Sequence, residues 1–248
     1  MKKIGHTILR LDVVPSTNTL LMESEEYLQN HGLVAIARHQ TAGRGRLGRS
    51  WQSRPDSQLQ FSAVLHPGIP REQAPLFSLA AGLAVAEALE RALALRPTLK
   101  WPNDVYLGSR KVCGILTELS PGPAGEPRLV VGIGINCRGA PDDFPPEVRE
   151  VLTTLAHETG RPVDMEAVFG EVLERLQAGF DRLNAGDRAG VLADWSARAP
   201  MGGLPLKYPT ADGPRHGKAL GLSDEGYLLI ETAEGARHVH VSGEIEWV

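Results

Sequence analysis

The sequence predicts an α+β protein in which a domain of mixed strands and helices precedes a small all-β module. Over residues 7–200, β-branched apolar segments alternate with segments of helical periodicity. After the stretch APMGGLP the helical segments stop, and short strands with turn residues between them fill about 45 residues, which is typical of a small β-barrel or sandwich. We therefore predict domains at residues 1–200 and 201–248.

The strands of the first domain are predicted from runs of β-branched and apolar residues. The Gly- and Pro-rich stretch SPGPAGEP separates the last two runs, which indicates a hairpin with a loop longer than a tight turn. The stretch KWPNDV predicts a turn between two short strands. The predicted strands span residues 7–14, 33–38, 59–66, 110–119 and 128–136, with two short strands within 98–108 and a loop at 138–146.

Helix starts are marked by capping residues and by proline. Ser16 or Thr17 can cap the first helix. Pro75 opens a long helix that is apolar nearly all round, so we expect it in the core. The predicted helices span about residues 16–28, 75–95 and 188–197, together with an amphipathic segment that Asp164 caps.

The composition is that of an ordinary globular protein, with 42% hydrophobic and 23% charged residues. A net charge of −4 argues against a dedicated nucleic-acid-binding protein. The two cysteines, Cys113 and Cys137, form neither a disulfide framework nor a zinc motif. Because the sequence shows no signal peptide and no long uninterrupted apolar run, we expect a cytoplasmic protein that does not enter a membrane.

The segment Gly43–Arg49, which we call the Gly/Arg loop, holds three glycines and three arginines in seven residues. Glycine lets backbone N–H groups approach an anion, and arginine adds donors that match carboxylate or phosphate oxygens. The segment matches neither a Walker A loop nor a dinucleotide-binding fingerprint. Taken alone it is compatible with a solvated linker, a weak RNA-binding segment or an anion site.

Polar residues flanked by glycines occur at successive strand ends further along the chain. KWPNDV carries Lys100, Asn103 and Asp104, RKVCGILTE carries Lys111 before Gly114, and GIGIN ends at Asn136. Such residues tend to face one crevice. Several cations, amide groups and one acid predict a pocket for a nucleotide together with a carboxylate.

Four motifs, QTAGRGRLGRSW, KWPND, KVCGILTE and VVGIGIN, resemble in order and spacing the catalytic domain of biotin–protein ligases. STN at residues 16–18 is similar to that family's first substrate-contacting turn, and GKALGLSDEGYLLIE with VSGEIEW resembles its SH3-like domain. The resemblance runs from about Ile8 to the C-terminus. It implies a mixed β-sheet flanked by helices, of the class II synthetase-like biotin/lipoate ligase type, followed by a small SH3-like β-barrel.

The resemblance implies an AMP-forming ligase that uses ATP and Mg²⁺ to activate biotin as biotinyl-5′-AMP. The biotinyl group then passes to a lysine of a biotin carboxyl carrier protein or domain of a biotin-dependent carboxylase. A lipoate- or octanoate-protein ligase of the same fold is the alternative. The catalytic motifs begin within the first dozen residues, so we expect no DNA-binding domain before them and no nucleic-acid partner. A homodimer is compatible with the family.

Site residues follow from the matched motif positions. Asp104 is expected either to hold Mg²⁺ through water or to orient the acceptor lysine, and both readings stay open. The implied catalytic residues are Lys111, Arg44, Lys100 and Asp104; the biotin site comprises Ser16, Thr17, Asn18, Gln40, Gly43, Arg44, Arg46, Lys111 and Gly114; the nucleotide site comprises Arg44, Arg49, Trp51, Asn103, Lys111 and Asn136.

Overall fold

The computed structural model describes residues 2–210, 212–240 and 245–247, and its largest element is a seven-stranded mixed sheet. The strands lie in the order β1-β2-β3-β7-β6-β5-β4. Strands β1 and β2 are parallel and every other neighbouring pair is antiparallel. The predicted strands and the predicted hairpin are confirmed. The strands are β1 (Thr7–Val14), β2 (Leu33–Gln40), β3 (Gln58–Leu65), β4 (Thr98–Lys100), β5 (Asp104–Leu107), β6 (Arg110–Pro121) and β7 (Pro127–Asn136).

Two long helices, α3 (Pro75–Leu93) and α6 (Met165–Asn184), pack against each other beside the sheet. The Asp164 side chain accepts hydrogen bonds from the backbone N–H groups of Glu166 and Ala167, so it caps α6 as predicted. Buried apolar residues of both helices share one core with alternate residues of the strands. The remaining helices are α1 (Thr17–Met22), α2 (Glu25–Leu28), α4 (Pro146–Arg149), α5 (Leu155–Thr159) and α7 (Arg188–Ala197).

The prediction of one continuous helix over residues 16–28 is wrong. Ser16 caps α1, but the Ser24 side chain then accepts a hydrogen bond from the Tyr27 backbone N–H and caps a second helix, α2. A capping serine favours extended backbone at its own position, and this interrupts the helix. Helices α4 and α5 were not predicted, because both are single short turns without periodicity.

The opposite face of the sheet is divided between an apolar end and a polar end. Leu21 of α1 and Leu28 of α2 cover Ala35, Val64 and Val130 there. Further along the same strands the inward positions become polar or glycine: Gln58, Gln60 and Ser62 on β3 oppose Asn136, Gly134 and Gly132 on β7. Because residues two apart on a strand share a face, this alternation makes a polar floor, and Thr17 and Asn18 at the start of α1 contact its Ser62 and Gly132 end.

A second, five-stranded antiparallel sheet follows α7, with the order β11-β10-β9-β8-β12. This sheet fits the predicted SH3-like module, so the predicted fold class is confirmed. Its apolar residues join the main core, and Trp101 Nε1 donates a hydrogen bond of 3.1 Å to the Gly226 carbonyl. Residues 211, 241–244 and 248 of the predicted 201–248 domain lie outside the described residues. The strands are β8 (Pro205–Thr210), β9 (Gly213–Leu222), β10 (Leu228–Thr232), β11 (Arg237–His240) and β12 (Glu246–Trp247).

Length and apolarity decide whether a helix could cross a membrane. Helices α3 and α6 are the longest, with 19 and 20 residues. Neither these nor any other helix in the described part of the chain is apolar enough over a sufficient length to cross a membrane.

A buried histidine predicts a specific loss of stability at acid pH. His31 is 9% exposed, its Nδ1 accepts the His66 backbone N–H at 3.0 Å, and its ring lies 5.0 Å from that of Phe180. Burial, with the nearby His66 charge adding to it, lowers the pKa of His31 from 6.5 to about 4. Between these values the unfolded chain binds a proton that the folded chain does not, so the free energy of unfolding falls as the pH drops.

We expect this single group to reduce the free energy of unfolding by about 2 kcal/mol between pH 6.5 and pH 4. Urea unfolding at several pH values measures the loss. In His31→Asn, the side-chain oxygen can still accept the His66 N–H, but the variant lacks the titrating ring and should lose less stability over the same interval. An equal loss in both proteins would contradict the assignment.

Candidate functional site

A cavity of about 1060 Å³ opens on the polar floor of the main sheet. Its walls come from the start of α1, the Gly/Arg loop, the turn between β4 and β5, and the second sheet. Most of the predicted site residues therefore meet in one place. Those that line the cavity are Ser16, Thr17, Asn18, Gln40, Arg44, Arg46, Arg49, Trp51, Lys100, Asn103, Asp104, Lys111, Gly114 and Asn136.

The Gly/Arg loop lies between β2 and β3 and folds back on itself. The chain before its tip and the chain after it are the two arms of the loop. The Gly45 N–H donates to the Arg49 carbonyl at 2.7 Å, and Arg44 forms an isolated antiparallel bridge with Ser50. At the tip, Leu47 and Gly48 both have positive φ, 54° and 76°. A left-handed conformation is costly for leucine, and the Leu47 side chain is 64% exposed, so the tip is the least stabilised part of the loop.

Trp51 lies flat against the sheet where two strands carry glycine. A Cβ on Gly134 would stand 2.6 Å from the Trp51 ring, and one on Gly114 would stand 3.1 Å from it. A Cβ on Gly43 would stand 2.6 Å from the Trp51 carbonyl oxygen. Gly43 is the predicted biotin-site residue that does not line the cavity; its lack of a side chain instead allows the two arms of the loop region to approach.

Three of the predicted biotin-site residues, Thr17, Asn18 and Gln40, belong to one buried hydrogen-bond network at the start of α1, which we call the acid-binding network after their predicted role. Gln40 Oε1 accepts the Thr17 backbone N–H at 2.8 Å, and the Thr17 hydroxyl lies 2.7 Å from that of Ser62. Ser62 in turn donates to Asn18 Oδ1 at 2.5 Å, and Gln40 Nε2 donates to Gln60 Oε1 at 3.0 Å. These side chains are each at most 9% exposed, so the network is fixed before any ligand binds.

Arg44 reaches from the Gly/Arg loop to the middle of β6. Its Nη2 lies 2.8 Å from Glu118 Oε1, and its Nη1 donates to Glu118 Oε2 at 3.0 Å. The pair is bidentate, the stronger and more directional form of arginine–carboxylate contact. Asn18 Nδ2 donates to the same Oε2 at 3.0 Å. Glu118 therefore connects the loop to the acid-binding network.

The turn between β4 and β5 carries the remaining charged residues, and its Trp101–Pro102 peptide bond is cis. The Asn103 side chain donates to the Ile115 carbonyl at 2.7 Å, which fastens the turn to β6. Asp104 Oδ1 lies 2.6 Å from Lys111 Nζ, and both side chains are more than two-thirds buried. The acid and the predicted catalytic lysine thus form a partly desolvated ion pair at the cavity wall.

The Lys111 backbone is hydrogen-bonded through both its N–H and its carbonyl group. These bonds fix the position from which the side chain extends. Its N–H donates to the Val151 carbonyl at 2.8 Å, and its carbonyl accepts the Thr153 N–H at 2.9 Å. A Cβ on Gly114 would stand 3.1 Å from Lys111 Nζ. The ammonium group therefore lies beside Trp51, on the same glycine-lined floor.

A second lysine supplies positive charge close by. Lys100 Nζ lies 5.2 Å from the centroid of the Tyr106 ring. Burial lowers the pKa of Lys100; the Asp104 charge opposes this shift and the Lys111 charge adds to it. Burial, together with Asp104, raises the pKa of Tyr106 to about 12. A cluster of two lysines and one carboxylate leaves net positive charge where an anion can bind.

Asn136 lies at the far end of the polar floor. Its side chain is 3% exposed, and its Oδ1 accepts Gln58 Nε2 at 2.8 Å. Gln58 also donates to the Gln52 carbonyl and accepts the Arg54 N–H, so it links Asn136 to the segment that follows the Gly/Arg loop.

Several polar residues of the site were not predicted, among them four that lie behind the cavity lining: Gln58, Gln60, Ser62 and Glu118. The first three follow a signal that the sequence does carry, because the segment QLQFS alternates polar and apolar residues with the period of a strand. Glu118 ends the motif KVCGILTE, but the sequence does not indicate which residue it contacts. Its partner Arg44 lies 74 residues earlier in the chain, and only the folded sheet brings the two together.

Metal-binding side chains do not cluster in the described part of the chain. Among the described residues, no three or more histidine, cysteine, aspartate or glutamate side chains form a group that could hold a metal ion. The acids that line the cavity are Asp104, paired with Lys111, and Glu246, which lies 3.4 Å from Lys207. A divalent cation at this site would need further oxygen ligands from a bound anion.

Two family models match the chain. The model of the biotin/lipoate A/B protein ligase family matches residues 11–136, which include the Gly/Arg loop, the β4–β5 turn and Asn136. The model of the biotin protein ligase C terminal domain matches residues 207–247, which correspond to the second sheet.

Curated proteins and solved structures are similar over almost the whole chain. The biotin–[acetyl-CoA-carboxylase] ligase of Paracoccus denitrificans is 37% identical, covering 93% of this chain and 96% of that protein. The bifunctional ligase/repressor BirA of Bacillus subtilis is 32% identical, covering 98% of this chain and 74% of that protein. The Aquifex aeolicus biotin protein ligase in complex with biotin and ATP superposes with a TM-score of 0.83 at 34% identity, covering 98% of this chain and 99% of that one.

Proposed function

Because the chain belongs to the biotin/lipoate A/B protein ligase family and carries a biotin protein ligase C-terminal domain, we propose that it activates biotin with ATP and transfers it to a protein lysine. The similar proteins named as biotin ligases support the ligase class and the use of biotin and ATP. The site residues given above keep their predicted roles as part of this proposal.

One observation carries the proposal more than any other. Lys111 Nζ, held 2.6 Å from Asp104, lies on a glycine-lined floor beside Trp51, and the cavity above it is lined by three arginines of the Gly/Arg loop. This arrangement concentrates fixed cations around a space large enough for an acid and a nucleotide together. Such a site suits chemistry in which negative charge crowds on phosphate and carboxylate oxygens.

In the first step, a biotin carboxylate oxygen attacks the α-phosphorus of ATP. A new bond from this oxygen to phosphorus forms as the bond to the bridging oxygen breaks, and pyrophosphate leaves with the electron pair. Lys111 would stabilise charge on both the carboxylate and the α-phosphate, and Arg44 and Lys100 would add charge on the phosphate side. The Thr17 and Gln40 network would hold the head of the acid.

In the second step, the neutral amine of an acceptor lysine attacks the acyl carbon of the adenylate. The amide bond forms as the bond from the acyl carbon to the oxygen that bridges it to phosphorus breaks; AMP leaves with that oxygen and the electron pair, and the proton of the amine passes to water. The position of Asp104 on the cavity wall beside Lys111 supports a role in orienting the incoming amine, beside its alternative role toward Mg²⁺. The proposed acceptor is a biotin carboxyl carrier protein or domain of a carboxylase, in line with the name of the Paracoccus denitrificans ligase.

Magnesium fits this site only when a bound nucleotide supplies some of its oxygen ligands. Mg²⁺ commonly binds through one or two carboxylates plus substrate phosphates, and Asp104 is the carboxylate available beside the two lysines. When bound, the ion would neutralise charge on the phosphates of ATP. Asp104 would then divide its contacts between that ion and Lys111.

The proposal is tested by ATP–pyrophosphate exchange with biotin, lipoate, octanoate and no acid. We expect exchange with biotin alone, because the chain also carries the biotin protein ligase C terminal domain and its similar proteins are named as biotin ligases. Exchange driven by lipoate or octanoate instead would move the substrate to the alternative ligase activity. A protein without exchange that bound RNA with a steep salt dependence would contradict the proposal.

A further inference from the structure

We propose that Glu118 is a positioning residue that holds the Gly/Arg loop against the acid-binding network through Arg44 and Asn18. The inference rests on the proposed function for its effect on substrate binding, but its structural part concerns the loop alone. Glu118 ends the matched motif KVCGILTE, but it is not among the predicted site residues, and the motif alone gives it no role.

The first argument is the geometry of the Arg44 contact. Both terminal nitrogens of Arg44 meet both carboxylate oxygens of Glu118, at 2.8 and 3.0 Å. A bidentate contact fixes the plane of the guanidinium group as well as its distance. The side chain of Glu118 is 21% exposed and that of Arg44 is 47% exposed, so the contact is protected from water on the side of the sheet. Glu118 therefore sets where one arm of the loop lies.

The second argument is that the Glu118 carboxylate also accepts a hydrogen bond from the buried network. Asn18 Nδ2 donates to Glu118 Oε2 at 3.0 Å and to the Leu116 carbonyl at 3.2 Å. Asn18 Oδ1 accepts the Ser62 hydroxyl, and a side chain on Gly132 would collide with Asn18. With its position fixed by these contacts, Asn18 leaves the Glu118 carboxylate little freedom to follow a moving loop.

The third argument is that the contacts form a closed path. From Arg44 the path runs through Glu118, Asn18, Ser62 and Thr17 to Gln40, which ends the strand immediately before the loop region. The end of β2 and the arm of the loop that precedes its tip are thus connected to one buried network. The tip is a single 3₁₀ turn, Arg46–Gly48, in which Leu47 is left-handed and exposed. Glu118 is the point where loss of one charge would release the loop while leaving the network formed.

The experiment compares Glu118→Gln, Arg44→Ala and the double variant, using hydrogen exchange of a peptide that covers the Gly/Arg loop and steady-state pyrophosphate exchange. Glu118→Gln should speed loop exchange by about fivefold. It should raise the KM for the acid and lower kcat to a smaller extent, because Lys111 keeps its position while Arg44 loses the contact that fixes it. The double variant should be no worse than Arg44→Ala, because Glu118 acts through Arg44.

Glu126→Gln is the matched control, because Glu126 is an exposed acid in the turn after β6 on the same hairpin, and it should change neither measurement. Unchanged loop exchange in Glu118→Gln would overturn the inference, and so would additive effects in the double variant. If no acid supports pyrophosphate exchange in the parent protein, the proposed function fails. Loop exchange then still decides whether Glu118 holds the loop.

Discussion

Lys111→Ala is expected to lower the rate of ATP–pyrophosphate exchange by about 10²- to 10³-fold, the largest effect of any single side-chain removal at this site. The Lys111 ammonium is the cation fixed both by its backbone, between Val151 and Thr153, and by an ion pair with Asp104. A preorganised charge stabilises the transition state without the cost of reorienting solvent. Neither Lys100, whose pKa is lowered by burial, nor the arginines of the exposed loop can replace it in position.

The removal of Lys111 also leaves the Asp104 carboxylate without its partner at a partly buried site, which lowers stability. Loss of folding is separated from loss of chemistry by measuring thermal unfolding alongside exchange, and by adding Asp104→Asn to Lys111→Ala to remove the unpaired charge. Lys218→Ala, at an exposed position of β9, is the control and should behave as the parent protein. A Lys111→Ala protein that kept more than about a tenth of the exchange rate would refute the assigned role.

Local patterns in the sequence predict the strands well because each strand carries its own signal. The runs of β-branched residues fixed β1, β2, β3, β6 and β7 to within a few residues of their observed bounds. The first helix was predicted too long because a second serine, Ser24, caps a new helix. A single polar residue inside an amphipathic pattern does not indicate that the helix ends there.

The site was predicted from motifs, and the structure adds the contacts between residues of different motifs, which the motifs do not indicate. Asp104 and Lys111 meet because β5 and β6 form a tight hairpin with a register shift between Val105 and Tyr106, a feature that depends on the paired strand. Glu118 meets Arg44 across the sheet from a distant part of the sequence. Contacts of this kind follow from the order of strands, which local propensity does not determine.

Gly134→Ala is expected to reduce pyrophosphate exchange by about 10²-fold while the protein remains folded. The added Cβ would stand 2.6 Å from Cε2 and 2.7 Å from Cζ2 of Trp51, so the indole must leave the floor of the cavity. Displaced from the sheet, the ring would enter the space above Lys111 and shift the segment that follows the Gly/Arg loop. Overpacking of this kind costs about 1–3 kcal/mol of stability, which thermal unfolding would detect as a modest decrease.

The matched control is Gly170→Ala, because a Cβ on Gly170 meets nothing within 4 Å in α6. Alanine there should stabilise the protein by up to about 1 kcal/mol and leave exchange unchanged. Trp51→Ala combined with Gly134→Ala removes the collision, so stability should recover relative to Gly134→Ala while exchange stays low if the indole itself lines the ligand site. Near-normal exchange in Gly134→Ala would mean that the position of Trp51 against the sheet does not shape the site.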